Sequence, residues 1–218
     1  YPRVPGNPKH AFAFKMVLTE QKAEAKVVDV HWTPSKDGYL KPRVQIDPID
    51  LAGVTITYAT GFNGHFIEKN NINIGAIIEI IRSGDVIPYI NRVIKPADSP
   101  KMPDVAYKWN ETHIDIMLQS KEDNEIVLAK NITQFFGDVD GLGPGNIKKM
   151  ITAGFDSIPK ILAMSKDDYL TIPGFKDKLA TKIHSNISSK VAKMSLPEIM
   201  VTSNTLGRGF GDKKIILI

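Results

Sequence analysis

The feature that most restricts what this chain can fold into is a repeat in its C-terminal half. Three glycine-centred segments, Gly141-Leu142-Gly143, Gly174-Phe175-Lys176 and Gly209-Phe210-Gly211, stand 33 and then 35 residues apart. Four positions after the last residue of each comes an apolar residue: Ile147, Ala180 and Ile215. From Asn131 onward apolar side chains recur at helical spacing, with Ile147, Met150 and Ile151 on one face and Leu179, Ile183 and Ile187 on another. A repeat of this length with these periods describes pairs of helices joined by short turns. Gly154 is placed to end the Ile147 helix as a left-handed cap. Ser195 and Glu198 have the spacing of a capping box, and Ser165 with Asp168 makes a weaker version. The acids Asp167 and Asp168 fall at a helix start, where interaction with the helix dipole is their ordinary role.

A glycine-apolar-glycine turn between helices has a specific physical use. The glycines adopt backbone angles closed to other residues and let the chain approach a phosphate closely. The amides at the start of the following helix then point at that anion, and the helix dipole adds to the attraction. Lys148, Lys149, Lys176, Lys178, Lys213 and Lys214 lie just beyond the turns, within reach of flanking phosphates. One such turn is usually a plain connection; three at similar spacing, each with lysines, favour contact with a DNA backbone.

The first hundred residues have a different period. Val28, Val30 and Trp32 alternate with Asp29 and His31. Val44 and Ile46 follow, then Val54, Ile56 and Tyr58, the run Ile77 to Ile81, and the run Ile87 to Val93. Ser35-Lys36-Asp37-Gly38, Asp47-Pro48, Gly61-Phe62-Asn63-Gly64 and Ser83-Gly84-Asp85 separate these runs as turns. Pro88 places its strand at an edge or a bulge. About five short strands with little helix fit a Greek-key barrel of the OB type or another small β-barrel.

Composition closes several other routes. The chain has 218 residues and no cysteine, which excludes disulfides and thiolate metal sites. Its five histidines lack ligand spacing, and there is neither a Gly-x-Ser-x-Gly elbow nor a P-loop. Gly207 to Gly211 is glycine-rich, but a dinucleotide fold needs a preceding strand and a βαβ unit. No apolar run is long enough to span a bilayer, and the start has no signal-peptide pattern, so an intracellular, non-secreted protein is expected. The net charge of +4 decides little. Its distribution says more: residues 101–139 carry 4 positive and 7 negative charges, whereas residues 140–193 carry 9 and 5. A mildly acidic connector thus precedes a basic helical region.

Four segments carry a resemblance to a known family. Leu51-Ala52-Gly53-Val54-Thr55 and Arg82-Ser83-Gly84-Asp85-Val86-Ile87-Pro88 resemble signature segments of the OB domain of NAD-dependent DNA ligases. Pro8-Lys9-His10-Ala11-Phe12-Ala13-Phe14-Lys15 resembles the last nucleotidyltransferase motif of that family's adenylation domain. Asp140-Gly141-Leu142-Gly143 resembles the start of its helix-hairpin-helix array, and the four occur in the family's order.

The resemblance implies a multi-domain α+β chain, a Greek-key OB barrel followed by an all-α helix-hairpin-helix array. The expected divisions are residues 1–16, the end of an adenylation domain; 17–100, the OB domain; 101–131, a connector; and 132–218, the hairpins. It also implies roles. Lys15 contacts the nucleotide phosphate, Arg82 the DNA backbone near a nick, and Val86 and Ile87 press into the minor groove. Lys36 stands where the family usually has an arginine, and so loses bidentate phosphate geometry. Gly141, Gly143, Lys148, Lys149, Gly174, Lys176, Gly209 and Gly211 are the DNA-binding set of the hairpins. From the residues alone, a buried strand is the simpler reading of Val86 and Ile87.

Departures from the family matter equally. His10 replaces a frequent tryptophan. The family's four-cysteine zinc module is missing, and residues 107–132 read instead as two strands, around Trp109 to Gln119 and Glu125 to Ala129, joined by Ser120 to Asn124. The Lys-x-Asp-Gly motif of the catalytic lysine is absent, Lys36-Asp37-Gly38 being a different pattern, and so is the N-terminal NAD-binding domain. The expectation is therefore a monomeric, DNA-gripping C-terminal fragment of a ligase that acts in replication and repair. It binds nicked duplex and its missing adenylation domain, carries no catalytic residue, zinc or stably bound cofactor, and leaves NAD and magnesium to the intact enzyme. The alternative is a non-catalytic OB and helix-hairpin-helix binder of DNA structures, similar to RuvA-like Holliday-junction proteins.

Overall fold

The computed structural model describes residues 20–51, 53–83 and 87–215. These fall into two units, the first comprising residues up to 31, 42–62 and 66–102, the second residues 32–41, 63–65 and 103 onward. The segments near Lys15 and Val86, and the side chain of Arg82, lie outside the described residues.

The first unit is built on β1 (Glu20–Pro34), β2 (Tyr39–Leu51), β3 (Val54–Thr60), a short helix α1 (Gly64–Lys69), β4 (Ile77–Ser83) and β5 (Tyr89–Lys95). The strand order β1-β4-β5-β3-β2, with β1 also paired to β2, closes the sheet into a barrel. β3 and β5 run parallel through Thr60 and Tyr89, while β1–β4, β4–β5 and β2–β3 are antiparallel. This is the five-stranded Greek-key closure of an OB fold. Val27, Val44, Ile46, Ile56, Ile78, Ile80 and Ile90 are buried inside it.

Two local details differ from the simple alternation. Val30 is buried but Val28 faces solvent, and the inward set of β1 is Ala25, Val27 and Val30. The phase slips by one because Oδ1 of Asp29 accepts the Val30 amide at 2.7 Å. A short polar side chain thereby competes with the strand ladder. Asp47-Pro48 is not a turn. β2 runs through it, and its register with β3 shifts between Gln45 and Ile49. Proline cannot donate to a ladder, so an irregularity inside the strand accommodates it. The turn comes later, where the Asp50 carboxylate accepts the Gly53 amide and Gly53 takes φ 69°.

In the second unit, the segment Ser35 to Gly38 makes a tight turn. Ser35 Oγ accepts the amides of Asp37 and Tyr39, and Gly38 has φ 82°. Two short strands follow, β6 (Tyr107–Trp109) and β7 (Ile116–Leu118), with β7 paired to the start of β2 at Tyr39 and Leu40. The connector therefore contains a hairpin, but inside the stretch read as one strand. Its turn is tied by Asn110, whose Oδ1 accepts the amides of Ile114 and Asp115 and the hydroxyl of Thr112.

Glu125 to Ala129, expected as the second strand, begins a helix, α2 (Glu125–Phe136). A short apolar run cannot by itself distinguish strand from helix. Asn124 decides locally: its side chain accepts the amides of Ile126 and Val127 and caps the first turn. The remaining helices are α3 (Pro144–Thr152), α4 (Ile158–Leu162), α5 (Lys166–Leu170), α6 (Asp177–Val191), α7 (Leu196–Thr202) and α8 (Asp212–Ile215). Their core holds Phe135, Phe136, Leu142, Ile147, Met150, Ile161, Tyr169, Phe175, Ala180 and Ile183. Burial, with the neighbouring Asp168 charge adding to it, pushes the Tyr169 hydroxyl up to about 12, so it stays neutral in this core. Among the described residues, no helix is long and apolar enough to cross a membrane.

Candidate nucleic-acid interface

The three glycine segments form equivalent turns. Gly141, Gly174 and Gly209 have φ of 95°, 86° and 99°, a region that side chains with a Cβ rarely enter. Ile147, Ala180 and Ile215, at the equivalent places in α3, α6 and α8, are all buried. The first two turns also bury their central residue, Leu142 at 2% and Phe175 at 5% exposure, whereas Phe210 of the third is 44% exposed. The third hairpin keeps the backbone turn but leaves its apolar residue outside the core, and its second helix is only four residues long.

The first two turns are brought together by their helices. A Cβ on Gly141 would stand 3.0 Å from Ile183 and 3.5 Å from Leu179, both on α6. The corresponding atom on Gly174 would stand 3.0 Å from the ammonium of Lys149 on α3. Each turn therefore packs against the helix that follows the other. Asp140 adds to this, its backbone oxygen accepting from Asn186 at 3.1 Å and its carboxylate pairing with Lys182 at 2.7 Å.

Capping separates these helices from their neighbours. α2, α4, α5 and α7 each carry an Asn or Ser at the N-cap whose side chain accepts a backbone amide. α3 and α6, which leave the first two turns, have Gly143 and Lys176 there and no side-chain cap. The first amides of a helix have no intrahelical partner, so those of α3 and α6 remain available to an outside acceptor. Such an end attracts anions. The two proposed boxes are also reversed in strength. Ser165 and Asp168 bond reciprocally, whereas Ser195 accepts the Glu198 amide without a return bond. That reciprocal bonding to the Ser165 hydroxyl and amide holds the Asp168 carboxyl below the usual carboxylate range.

Charge pairing sorts the lysines in the same way. Lys160, Lys166, Lys182 and Lys190 pair with Asp156, Asp177, Asp140 and Asp138. Lys148, Lys149, Lys176, Lys178, Lys213 and Lys214 are exposed, and none pairs with a carboxylate among the described residues. Uncompensated positive charge therefore gathers beside the turns. Gly143 and Gly211, the second glycines, are exposed with open space where a Cβ would be.

In the first unit, Ile87 lies between β4 and β5 and is 74% exposed. It is not part of a buried strand. A feature that sequence reasoning missed lies on β2 and β3, where the Arg43 guanidinium stacks 3.7 Å from the centre of the Tyr58 ring. The two are 15 residues apart, so only the strand register reveals the pair. Lys36, in the second unit, directs its ammonium to Oδ1 of Asn204 at 2.5 Å. The uncapped helix starts were also missed, although Gly143 and Lys176 stand where the other helices have Asn or Ser. No group of three His, Cys, Asp or Glu suited to a metal occurs among the described residues, and the chain offers no thiolate to a zinc ion.

Comparison with known proteins agrees with both units. Residues 24–102 match the NAD-dependent DNA ligase OB-fold domain, and residues 134–188 match a SAM-like helix-hairpin-helix tandem. A DNA ligase of Acanthamoeba polyphaga mimivirus is 42% identical over 213 residues, covering 97% of this chain and 33% of that protein. The 052L protein of Invertebrate iridescent virus 3 is 34% identical over 96% of this chain and 27% of its own length. A DNA ligase of Desulfatibacillum aliphaticivorans is 27% identical over 77% of this chain and 28% of its own length. The chain thus spans a third or less of the relatives it matches. Across residues 24–102 it is an OB-fold domain of the NAD-dependent DNA ligase family, and this domain is followed by a helix-hairpin-helix tandem.

Proposed function

We propose that this chain is the DNA-gripping part of an NAD-dependent DNA ligase and that it holds nicked duplex during phosphodiester bond formation. The observation that carries this is the pair of uncapped helices α3 and α6, each entered from a left-handed glycine and flanked by lysines without carboxylate partners. Two such ends held together suit successive phosphates of one backbone, and they read no sequence. Gly141, Gly143, Gly174, Lys148, Lys149 and Lys176 do this work, with Gly209 and Gly211 forming a third, looser contact.

The barrel adds preference for a nick. Arg82 meets the backbone beside the break, and Val86 with Ile87 forms an apolar wedge in the minor groove. The exposure of Ile87 supports this role, since an isoleucine so placed lacks a core to fill. A wedge distorts DNA, and a nick lowers the energy of that distortion. Lys15 serves the nucleotide phosphate in the adenylation domain. Chemistry with NAD and magnesium belongs to that domain, because this chain has no Lys-x-Asp-Gly nucleophile.

Equilibrium titration with intact, nicked and four-way-junction DNA tests the reading. Nicked duplex is expected to bind most tightly, and Val86→Ala with Ile87→Ala to shrink its advantage over intact duplex. Equal loss on both substrates from a folded variant would return these residues to a structural role. Preference for the four-way junction would favour a free-standing DNA-structure binder.

A further inference from the structure

Lys36 stands where the family resemblance puts a phosphate ligand, yet its side chain is engaged within the second unit. Its ammonium donates to Oδ1 of Asn204 at 2.5 Å and lies 3.6 Å from the Asp37 carboxylate. The amide nitrogen of Asn204 donates to Asp37 at 2.9 Å and to Oδ1 of Asn131 at 3.1 Å. Asn131 completes the ring by donating to the Lys36 carbonyl at 3.0 Å. Nearby, Lys130 donates to the Pro34 carbonyl at 2.7 Å, and Gln134 to the Val201 carbonyl at 3.0 Å. One asparagine side chain thus uses its acceptor and both its donor hydrogens.

Asn204 also occupies a special place in the chain. It follows α7 closely and has φ 57°, a conformation that asparagine tolerates better than most residues with a Cβ. Its carbonyl accepts the Gly207 amide at 3.1 Å, so its setting fixes the chain as it enters the third glycine turn. Inside that turn, Arg208 lies 4.7 Å from the Tyr39 ring centre and 3.7 Å from Asp115, which also binds Lys41 at 2.7 Å. The turn between α7 and α8 is therefore held at two points by the segment 32–41.

We propose that Lys36 is a positioning residue: with Asp37, Asn131 and Asn204 it sets the third glycine turn, and it influences DNA only through that turn. To reach a phosphate, its ammonium would have to give up Asn204 and the neighbouring Asp37, leaving a partly buried amide oxygen without its donor. The influence on DNA rests on the proposed function above; the hub itself does not.

The test has two arms. In the free chain, amide exchange is followed at Gly207, Lys214 and Ile215, whose amides bond within this hairpin. Lys36→Ala and Asn204→Ala should each speed exchange there about tenfold, as loss of one charge-assisted hydrogen bond does. The double variant should exceed neither single one by much, because both remove the same interaction. In the second arm, duplex affinity is titrated against salt. Lys36→Ala should leave the log–log slope unchanged, whereas loss of a phosphate ligand flattens it by about one. A flattened slope, unchanged exchange or additive exchange effects would each overturn the proposal. If the alanine variant fails to fold, Lys36→Met keeps the aliphatic stem and removes only the ammonium. Failure of the chain to bind duplex at all would remove the function proposed above while the exchange arm still decides the hub.

Discussion

Alanine substitution at the hairpin glycines should give three different outcomes from one chemical change. Gly141→Ala combines two penalties. A Cβ at φ 95° is strained, at about 1–2 kcal/mol for a left-handed residue. The added methyl also stands 3.0 Å from Ile183 and 3.5 Å from Leu179 in the helical core. Such overpacking typically costs about 1–3 kcal/mol, for a total of about 2–5 kcal/mol. Gly174→Ala carries the backbone penalty at φ 86°, but its methyl meets only the mobile end of Lys149. About 1–2 kcal/mol is expected there. Gly143→Ala has neither penalty, since its φ is −75° and nothing lies within 4 Å, so stability should change by less than about 1 kcal/mol. That methyl, however, stands where a phosphate would approach α3, so DNA affinity should fall. Urea unfolding followed by tryptophan fluorescence reads the right part of the molecule, because Trp32 and Trp109 both belong to the second unit. With a urea slope of about 2 kcal/mol per M, the midpoint should drop by about 1–2.5 M for Gly141→Ala and about 0.5–1 M for Gly174→Ala. Equal losses at 141 and 174, or a large loss at 143, would refute this assignment of strain and crowding.

Three further outcomes are expected. Incubation with NAD labelled in its adenylyl group should leave this chain unlabelled, and covalent labelling would show that a lysine such as Lys36 or Lys15 acts as a nucleophile. Elemental analysis of the purified, untagged protein should find no stoichiometric zinc; near-equimolar zinc would mean that histidines and carboxylates assemble a site. The depressed Asp168 carboxyl adds stability that is present above its unfolded value of about 3.9 and is lost as pH falls through the lower folded value. The stability advantage of the parent over Asp168→Asn should therefore shrink in acid below about pH 4, and a pH-independent difference would contradict the role of the charge.

Much of the architecture was legible because it is written in local periods. The glycine repeat located all three turns, and Ile147, Ala180 and Ile215 are buried as their spacing requires. The elements that sequence reasoning misplaced depend on single side chains that redirect the backbone. Asp29 takes the Val30 amide and shifts the inward face of β1, and Asn124 turns an apolar run into the first turn of α2. Pro48 resembles a turn in isolation, but pairing on both sides with β3 keeps β2 continuous. The candidate site divides similarly. The lysines and glycines of the turns are visible in the chain order, whereas the Lys36–Asn204 contact joins residues 168 positions apart and has no local signal. The uncapped starts of α3 and α6 lie between these cases, readable only by contrast with the Asn and Ser caps elsewhere.

The central claim is that the helical hairpins hold DNA through its phosphates. The most direct measurement is the salt dependence of duplex affinity for the parent chain and for Lys148→Ala with Lys149→Ala. Each phosphate contact contributes about 0.9 to the log–log slope, so removing two should flatten it by about 1.8, on nicked and intact duplex alike. An unchanged slope in a variant that remains folded would contradict the claim.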